Sequence, residues 1–364
     1  MKKLNVCIIF GGKSGEHEVS LRSAKSIYEA IDKNKYNVSL LGITKTGSMH
    51  YLESEPFKQL SAVPENEVET STSLVKRESS WLSPVASLID DKEMKGVDIF
   101  FPIIHGTYGE DGSLQGMLEM LDVAYVGAGV LGSAIGMDKD VMKRLLVAAK
   151  LPVSPYKVIR KQELNSLSFD NLLKSFTLPV FVKPANLGSS VGISKVTQKD
   201  EFEAAIRLAF KYDTKVLIEQ GVAFEKEIEI SVLGNENPEA SVAGEVNPKG
   251  GFYSYENKYI DPDGAELVIP AKIPEEKTKE AQQLAIAAFQ TLECSGMARV
   301  DFFYTKEGDL ILNEINTLPG FTSISMYPKL WEATGLSYSD LIDKLLQLAL
   351  ARKEQLDLLK RDYS

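Results

Sequence analysis

Residues 297–320, MARVDFFYTKEGDLILNEINTLPG, read as two strands joined by a tight polar turn. Val300, Phe302 and Tyr304 alternate with Arg299, Asp301 and Phe303, and Lys306-Glu307-Gly308-Asp309 has turn chemistry. Residues 310–315 form the return strand. A turn confined to those four residues pairs Thr305 with Leu310, which sets Asp301 opposite Glu314 and Arg299 opposite Asn316. Side chains two apart on a strand share a face, so these four polar residues gather on one surface. Facing carboxylates repel unless a cation lies between them, and Asp, Glu and Asn oxygens are the hard ligands Mg²⁺ prefers. A solvated polar hairpin face is the plainer alternative, and the spacing by itself leaves both open.

Working outward, a chain of 364 residues suggests two or three domains. Forty-one basic and 51 acidic residues give a formal charge of −10, which speaks against nucleic acid as a partner. No run approaches the roughly 18 apolar residues of a membrane span. The opening MKKLNVCIIFGG has two lysines and a short apolar run, but Gly-Gly ends that run after Phe10, so a buried first strand is expected rather than a signal peptide. Cys7 and Cys294 are the only cysteines and form no metal spacing, so a reduced, cytoplasmic protein is expected.

Strand 6–10, helix 18–31 and strand 36–43 begin a doubly wound α/β domain. Residues 52–96 are polar and poorly periodic, a peripheral insertion. Strand 97–104, the glycine-rich loop 105–112, helix 114–121 and strand 124–126 close the first unit, residues 1–127. The second unit, 128–218, holds helix 138–149, strands at 156–159, 179–183 and 193–196, and helix 199–212. The third, 219–364, is introduced by strand 215–219. It holds strand 227–233, a long loop 247–264, helix 275–291, the hairpin above and an amphipathic helix 338–359. The fold class is α/β (α+β).

Two motifs mislead. Gly127-Ala-Gly129-Val-Leu-Gly132 is a literal G-x-G-x-x-G, but the acidic residue a dinucleotide site wants about 20 positions on is missing from the Ala149-Lys150-Leu151 region. Gly12-Lys13-Ser14 resembles the tail of a P-loop, yet Cys7 stands where its first glycine belongs. Other stretches carry more chemistry. Lys183 ends a strand and precedes Gly188-Ser189-Ser190-Val191-Gly192; a lysine point charge and a small-residue loop suit phosphate, although G-S-S is also an ordinary turn. Glu219 and Glu227 lie beside apolar strands and could accept from an adenine amino group and ribose hydroxyls, or simply face water. Residues 252–259, FYSYENKY, place aromatics beside Lys258 in the long loop, a candidate cover for a ligand or satellite packing.

Taken in order, GGKSGEHEVS (11–20), HGTYGEDG (105–112), MDK (137–139), VKPANLGSSVGIS (182–194), EQGV (219–222), FYSYENKY (252–259), ARVDFF (298–303) and NEINTLPGFTSISMYP (313–328) resemble the D-alanine–D-alanine ligase family of the ATP-grasp superfamily. The resemblance runs from about residue 4 to about residue 345, apart from the variable 52–96 segment. It implies an ATP-grasp fold preceded by the doubly wound N-terminal domain. It also implies ATP with two Mg²⁺ ions (Mn²⁺ able to substitute), D-alanine as substrate, a role in peptidoglycan synthesis and a homodimer through the first domain. Asp301, Glu314 and Asn316 match metal ligands. Lys139, Lys183, Ser190 and Lys258 match phosphate contacts, Glu219 and Val222 adenine contacts, and Glu227 the ribose contact. Glu16 matches the residue that binds the first D-alanine's ammonium, with Ser189 and Tyr259 as its hydrogen-bonded partners. His105 matches a residue near the first substrate, and Arg299 and the Gly320 N–H match the oxyanion donors. Ser325 and Met326 match contacts to the second substrate's carboxylate. Within the family, tyrosine at the place of Tyr259 goes with dipeptide ligases. The alternatives are D-alanine–D-lactate or D-alanine–D-serine ligation, and a regulator that binds nucleotide without catalysis; retained Arg299, Asp301, Glu314 and Asn316 argue against the latter.

Overall fold

The computed structural model describes residues 2–63, 96–188, 191–248 and 265–360. Its first sheet contains β1 (Leu4–Gly11), β2 (Tyr36–Ile43), β3 (Met49–Tyr51), β4 (Ile99–Pro102) and β5 (Ala124–Tyr125), in the order β3-β2-β1-β4-β5. All pairs are parallel except β2 with β3. β1 is apolar without alternation because both its faces are covered. Val6, Ile8 and Phe10 enter a core shared with the C-terminal Tyr338–Asp357 helix, while Cys7 and Ile9 pack with Leu114 and Leu118. Strand order reverses between β1 and β4, so the loops leaving their carboxyl ends flank a crevice. Glu16 and His105 ride on those two loops. Gly11 ends β1 at φ +91°, and a Cβ there would stand 2.1 Å from the Ile43 carbonyl oxygen, so this turn requires glycine.

The second sheet is antiparallel: β6 (Tyr156–Arg160), β7 (Val180–Pro184), β8 (Ser194–Val196) and β9 (Lys215–Gln220), in the order β6-β9-β7-β8. The sequence reading used β9 to open the third unit, with the boundary at 218. Strand pairing puts β9 inside the second sheet, because Val216 and Ile218 join the core of Val180, Val182 and Ile206.

The third sheet is also antiparallel: β10 (Phe224–Gly234), β11 (Glu239–Pro248), β12 (Ala265–Val268), β13 (Gly296–Thr305) and β14 (Leu310–Asn316), in the order β12-β11-β10-β13-β14. Ile228, Ile230, Val232, Ala298, Val300 and Phe302 pack under the Glu275–Thr291 helix. Alternation sends Glu227, Glu229, Arg299 and Asp301 to the other face. Several elements were not read from the sequence: the short β3 and β12, the helical segments Ser54–Gln59, Lys161–Ser166 and Phe169–Leu172, and the longer β11 and Met326–Thr334 helix. Another, the Val130–Met137 helix, explains the misleading glycine motif: a Cβ on Gly132 would lie 2.5 Å from the Glu293 carbonyl oxygen, so that glycine serves close packing. Among the described residues no helix is long and apolar enough to cross a membrane.

The decisive hairpin has the expected partners at its site end and a different turn. Tyr304, not Thr305, stands opposite Leu310, which leaves five residues in the turn. The register then shifts by one between Asp301/Glu314 and Phe302/Leu312, and Asn313 is the extra residue. This bulge restores Asp301 opposite Glu314 and Arg299 opposite Asn316. It also flips the alternation: Leu310, Leu312 and Ile315 all face the core, which frees Glu314 and Asn316 for the opposite face.

Candidate active site

A cavity of about 890 Å³ lies at the β1/β4 crevice, where the first sheet meets the third. Glu16 lines it, buried at the start of the His17–Ala30 helix. Glu110, on the loop after β4, accepts from the Gly106 N–H at 2.8 Å. Burial, with the Glu16 carboxylate beside it, pushes Glu110 well above the usual carboxylate range. A Cβ on Gly188 would come 4.0 Å from both Glu16 Oε2 and Glu110 Oε1, so the loop of the second unit closes onto this carboxylate pair. His105 is buried between Ser23 Oγ (3.2 Å from Nε2) and the Leu318 carbonyl (3.1 Å from Nδ1). A carbonyl can only accept, so Nδ1 carries the proton and Nε2 accepts from Ser23. Burial lowers the His105 pKa, consistent with a neutral ring. His105 thus anchors the segment 318–321, in which Phe321 N–H also reaches Ser23 Oγ at 3.4 Å.

A second cavity, about 220 Å³, opens between the second and third sheets. Lys139, Lys183, Glu219, Val222, Glu227, Asp301 and Glu314 border it. Lys139 starts the Lys139–Ala148 helix, whose end is fixed by Asp138: its Oδ1 accepts from Asp140 and Val141 N–H at 3.0 and 3.1 Å. Lys139 donates to the Leu187 carbonyl at 2.6 Å, and burial lowers its pKa. Glu219 is enclosed by Lys143 and Lys183, each 2.7 Å away, and by the Ser154 hydroxyl. Burial pushes its pKa up, but the two ammonium groups outweigh burial and hold it well below the usual range. Lys183 is the more exposed of the two, at 13%, whereas Lys143 is 1% exposed and is the counter-ion held wholly inside the protein.

Lys143→Met should destabilise the fold by about 3 kcal/mol, the low end for breaking a buried pair, because Lys183 remains. The pH dependence follows from Glu219. Its pKa is depressed on folding, so its contribution is complete above the unfolded value near ~4.3 and is lost as pH falls below it. In the variant that depression shrinks, and the acid-unfolding midpoint moves to higher pH. Urea titrations at pH 7 and an acid titration followed by circular dichroism check both; unchanged midpoints would remove Lys143 from this role.

Between the two cavities stands the wall formed by β10, β13 and β14. Arg299 makes a two-toothed contact with Asp301, Nε to Oδ1 and Nη2 to Oδ2, both 2.7 Å. Asn316 Nδ2 donates to Asp301 Oδ2 at 3.0 Å, and Arg299 Nε lies 2.9 Å from Glu229 Oε2. Gly320, Ser325 and Met326 line the first cavity. Ser325 precedes the Met326–Thr334 helix, and its hydroxyl accepts from Thr322 N–H at 3.0 Å. The backbone N–H groups at that helix start suit a carboxylate. Among the described residues no three His, Cys, Asp or Glu side chains are arranged to hold a metal ion. The set here is two carboxylates and an amide, and it fits Mg²⁺, which takes one or two carboxylates and completes its shell with phosphate oxygens and water.

Two family matches cover most of the chain: the family described as "D-ala D-ala ligase N-terminus" over residues 5–128, and "D-ala D-ala ligase C-terminus" over residues 145–347. The chain belongs to the D-alanine–D-alanine ligase family. It is 50% identical over 362 residues to a D-alanine–D-alanine ligase of Shouchella clausii (98% of this chain, 97% of the relative). It is 49% identical over 354 residues to D-alanine–D-alanine ligase A of Escherichia coli K12 (97% of each). Among solved structures, the D-alanine–D-alanine ligase from Coxiella burnetii superposes with a TM-score of 0.81 at 36% identity, covering 98% of this chain and 97% of that one. The VanG D-Ala:D-Ser ligase from Enterococcus faecalis gives 0.79 at 34%, covering 96% and 100%. The fold is the ATP-grasp arrangement of these ligases.

Against the family's pattern, fourteen expected site residues line the two cavities: Glu16, His105, Lys139, Arg299, Glu314, Asn316, Gly320, Ser325 and Met326 the first, with Lys183, Glu219, Val222, Glu227 and Asp301 in the second. Ser189, Ser190, Lys258 and Tyr259 lie outside the described residues, as do 64–95 of the expected insertion and 249–264 of the long loop. Sequence reasoning missed Glu110, Lys143 and Glu229. Glu110 stood inside the quoted HGTYGEDG motif, and Glu229 carried a signal, the two-residue spacing from Glu227 that puts both on one strand face.

Proposed function

We propose that this chain joins two D-alanines to D-alanyl-D-alanine, for peptidoglycan, with ATP converted to ADP and phosphate. The observation that carries this reading is the Arg299–Asp301–Glu314–Asn316 cluster on the wall shared by a phosphate-suited cleft and a cavity holding Glu16. Glu16 binds the ammonium of the first D-alanine, whose carboxylate faces the γ-phosphate. Two anions must meet there, and Lys139, Lys183 and Lys258 lower that repulsion by lying along the phosphates. Asp301, Glu314 and Asn316 would hold two Mg²⁺ ions, which supply positive charge to the phosphate oxygens. The carboxylate oxygen attacks the γ-phosphorus, ADP leaves, and D-alanyl phosphate forms. Loops carrying Ser189 and Tyr259 keep water from this acyl phosphate. The second D-alanine, its carboxylate at Ser325 and the Met326 N–H, attacks the carbonyl carbon through its amine. Arg299 and the Gly320 N–H stabilise the oxyanion, and phosphate leaves as the C–O bond breaks. Glu219, Val222 and Glu227 hold the nucleoside.

In this reading the units are 1–127, 128–218 with β9 completed to Gln220, and the remainder, and the enzyme is a cytoplasmic homodimer. Tyr259 supports D-alanine as the second substrate. The test is phosphate release with ATP and Mg²⁺, offering D-alanine alone and then D-alanine with D-lactate or D-serine. Release with D-alanine alone, and dipeptide as the main product in the mixtures, is expected. Preferential D-alanyl-D-lactate or D-alanyl-D-serine would replace the reading, and no D-alanine-dependent release would end it.

A further inference from the structure

Glu229, Asp301 and Glu314 stand directly opposite one another on β10, β13 and β14, a row of three carboxylates across three strands. One cation serves two of them. The Arg299 guanidinium spends two of its N–H groups on Asp301, while Glu229 Oε2 lies 2.9 Å from Nε. Arg299, Asp301 and Glu229 are only 16%, 14% and 7% exposed. We propose that Glu229 is a positioning residue that holds Arg299 in the reaction cavity when Asp301 turns to metal. The inference rests on the ligase reading above.

The reasoning is one of competition. Arg299 takes one lone pair on each Asp301 oxygen and Asn316 Nδ2 takes a second on Oδ2, so guanidinium and a divalent cation compete for what the carboxylate can offer. Releasing Asp301 would cost a largely buried guanidinium one counter-charge, and a second carboxylate is already in contact to offset that loss. Glu229 borders both cavities, so Arg299 stays between the nucleotide cleft and the carbonyl to be attacked. Without Glu229, Asp301 becomes the main anchor of Arg299 and yields to metal less readily.

The test is ADP binding as a function of Mg²⁺, measured by calorimetry without D-alanine, in a double-mutant cycle. Glu229→Gln should raise the half-saturating Mg²⁺ on the order of fivefold, the size of coupling usual for contacting charges. In an Arg299→Ala background the same substitution should have no further effect, since no guanidinium competes. At saturating Mg²⁺, kcat should fall while KM for ATP stays near wild type. A rise in Mg²⁺ requirement that persists without Arg299 would make Glu229 a metal ligand and overturn the proposal, as would a wild-type Mg²⁺ curve for Glu229→Gln. If Glu229→Gln does not fold, Glu229→Ala carries the same cycle. Wild-type D-alanine-dependent phosphate release, measured first, separates failure of this inference from failure of the ligase reading.

Discussion

Arg299→Ala is expected to lower kcat by a factor of roughly 100 or more, the usual effect of deleting an oxyanion donor. In the proposed reaction that task falls to a side chain that β13 sets two residues from Asp301 on the same face, opposite Asn316, and lining the cavity that Gly320 also lines. Its ion pairs are with Asp301 and Glu229, and ADP affinity at saturating Mg²⁺ should change little. The metal requirement should move the other way from activity. Removing the guanidinium leaves Asp301, Glu229 and Glu314 with excess negative charge, so the Mg²⁺ needed for ADP binding should fall as turnover collapses. Steady-state kinetics and calorimetry on one preparation read both. Unchanged turnover would take Arg299 out of the oxyanion role, and lost ADP binding would mean that the substitution had disrupted the sheet.

How much of this was legible in the sequence depends on what sets each feature. Strands and helices fixed by periodicity came through with near-final bounds: β2 at 36–43, the Glu275–Thr291 helix and the buried run of β1. Local pattern carries that information. Strand partners were harder. β9 reads the same whether it opens a new unit or lies in the middle of an old one, because Val216 and Ile218 say only that it is buried. Charge networks were harder still. Lys143 looks like any helical lysine, and only the distant Glu219 and Ser154 make it a buried counter-ion. His105 was expected near the first substrate and lines the first cavity, but its partners, Ser23 and the Leu318 carbonyl, are 82 and 213 residues away in the chain. The quoted hairpin shows both sides: its polar cluster was read correctly through a turn that is one residue too short, because the bulge cancels the error before the site is reached.

That bulge carries the second prediction. The signal for it is in the sequence: Leu310 and Leu312 alternate, but the next core residue is Ile315, one position late. A strand cannot skip a position without an extra residue, and Asn313 is that residue. Deleting Asn313 makes Leu312 and Glu314 neighbours, and these already stand opposite Phe302 and Asp301. Simple alternation then sends Leu312 and Ile315 to the core and Glu314 and Asn316 to the cavity face, as the bulge does now. The deletion should therefore fold, keep measurable ligation and lose less than about 3 kcal/mol, the ordinary range for a single change. Inserting one alanine after Glu314 does the opposite. Either Ile315 turns out and Asn316 turns into the core of Ala298, Val300 and Leu312, or the end of β14 slips and pulls the following segment, with Leu318 and Gly320, out of place. A buried amide without partners costs about 2 kcal/mol or more, and the misplaced Asn316 and Gly320 should abolish measurable ligation. Steady-state assays and thermal melts on both variants separate the bulge itself from the spacing it secures. Ligation in the insertion, or a deletion that cannot fold, would show that residue count along β14 does not aim Glu314 and Asn316.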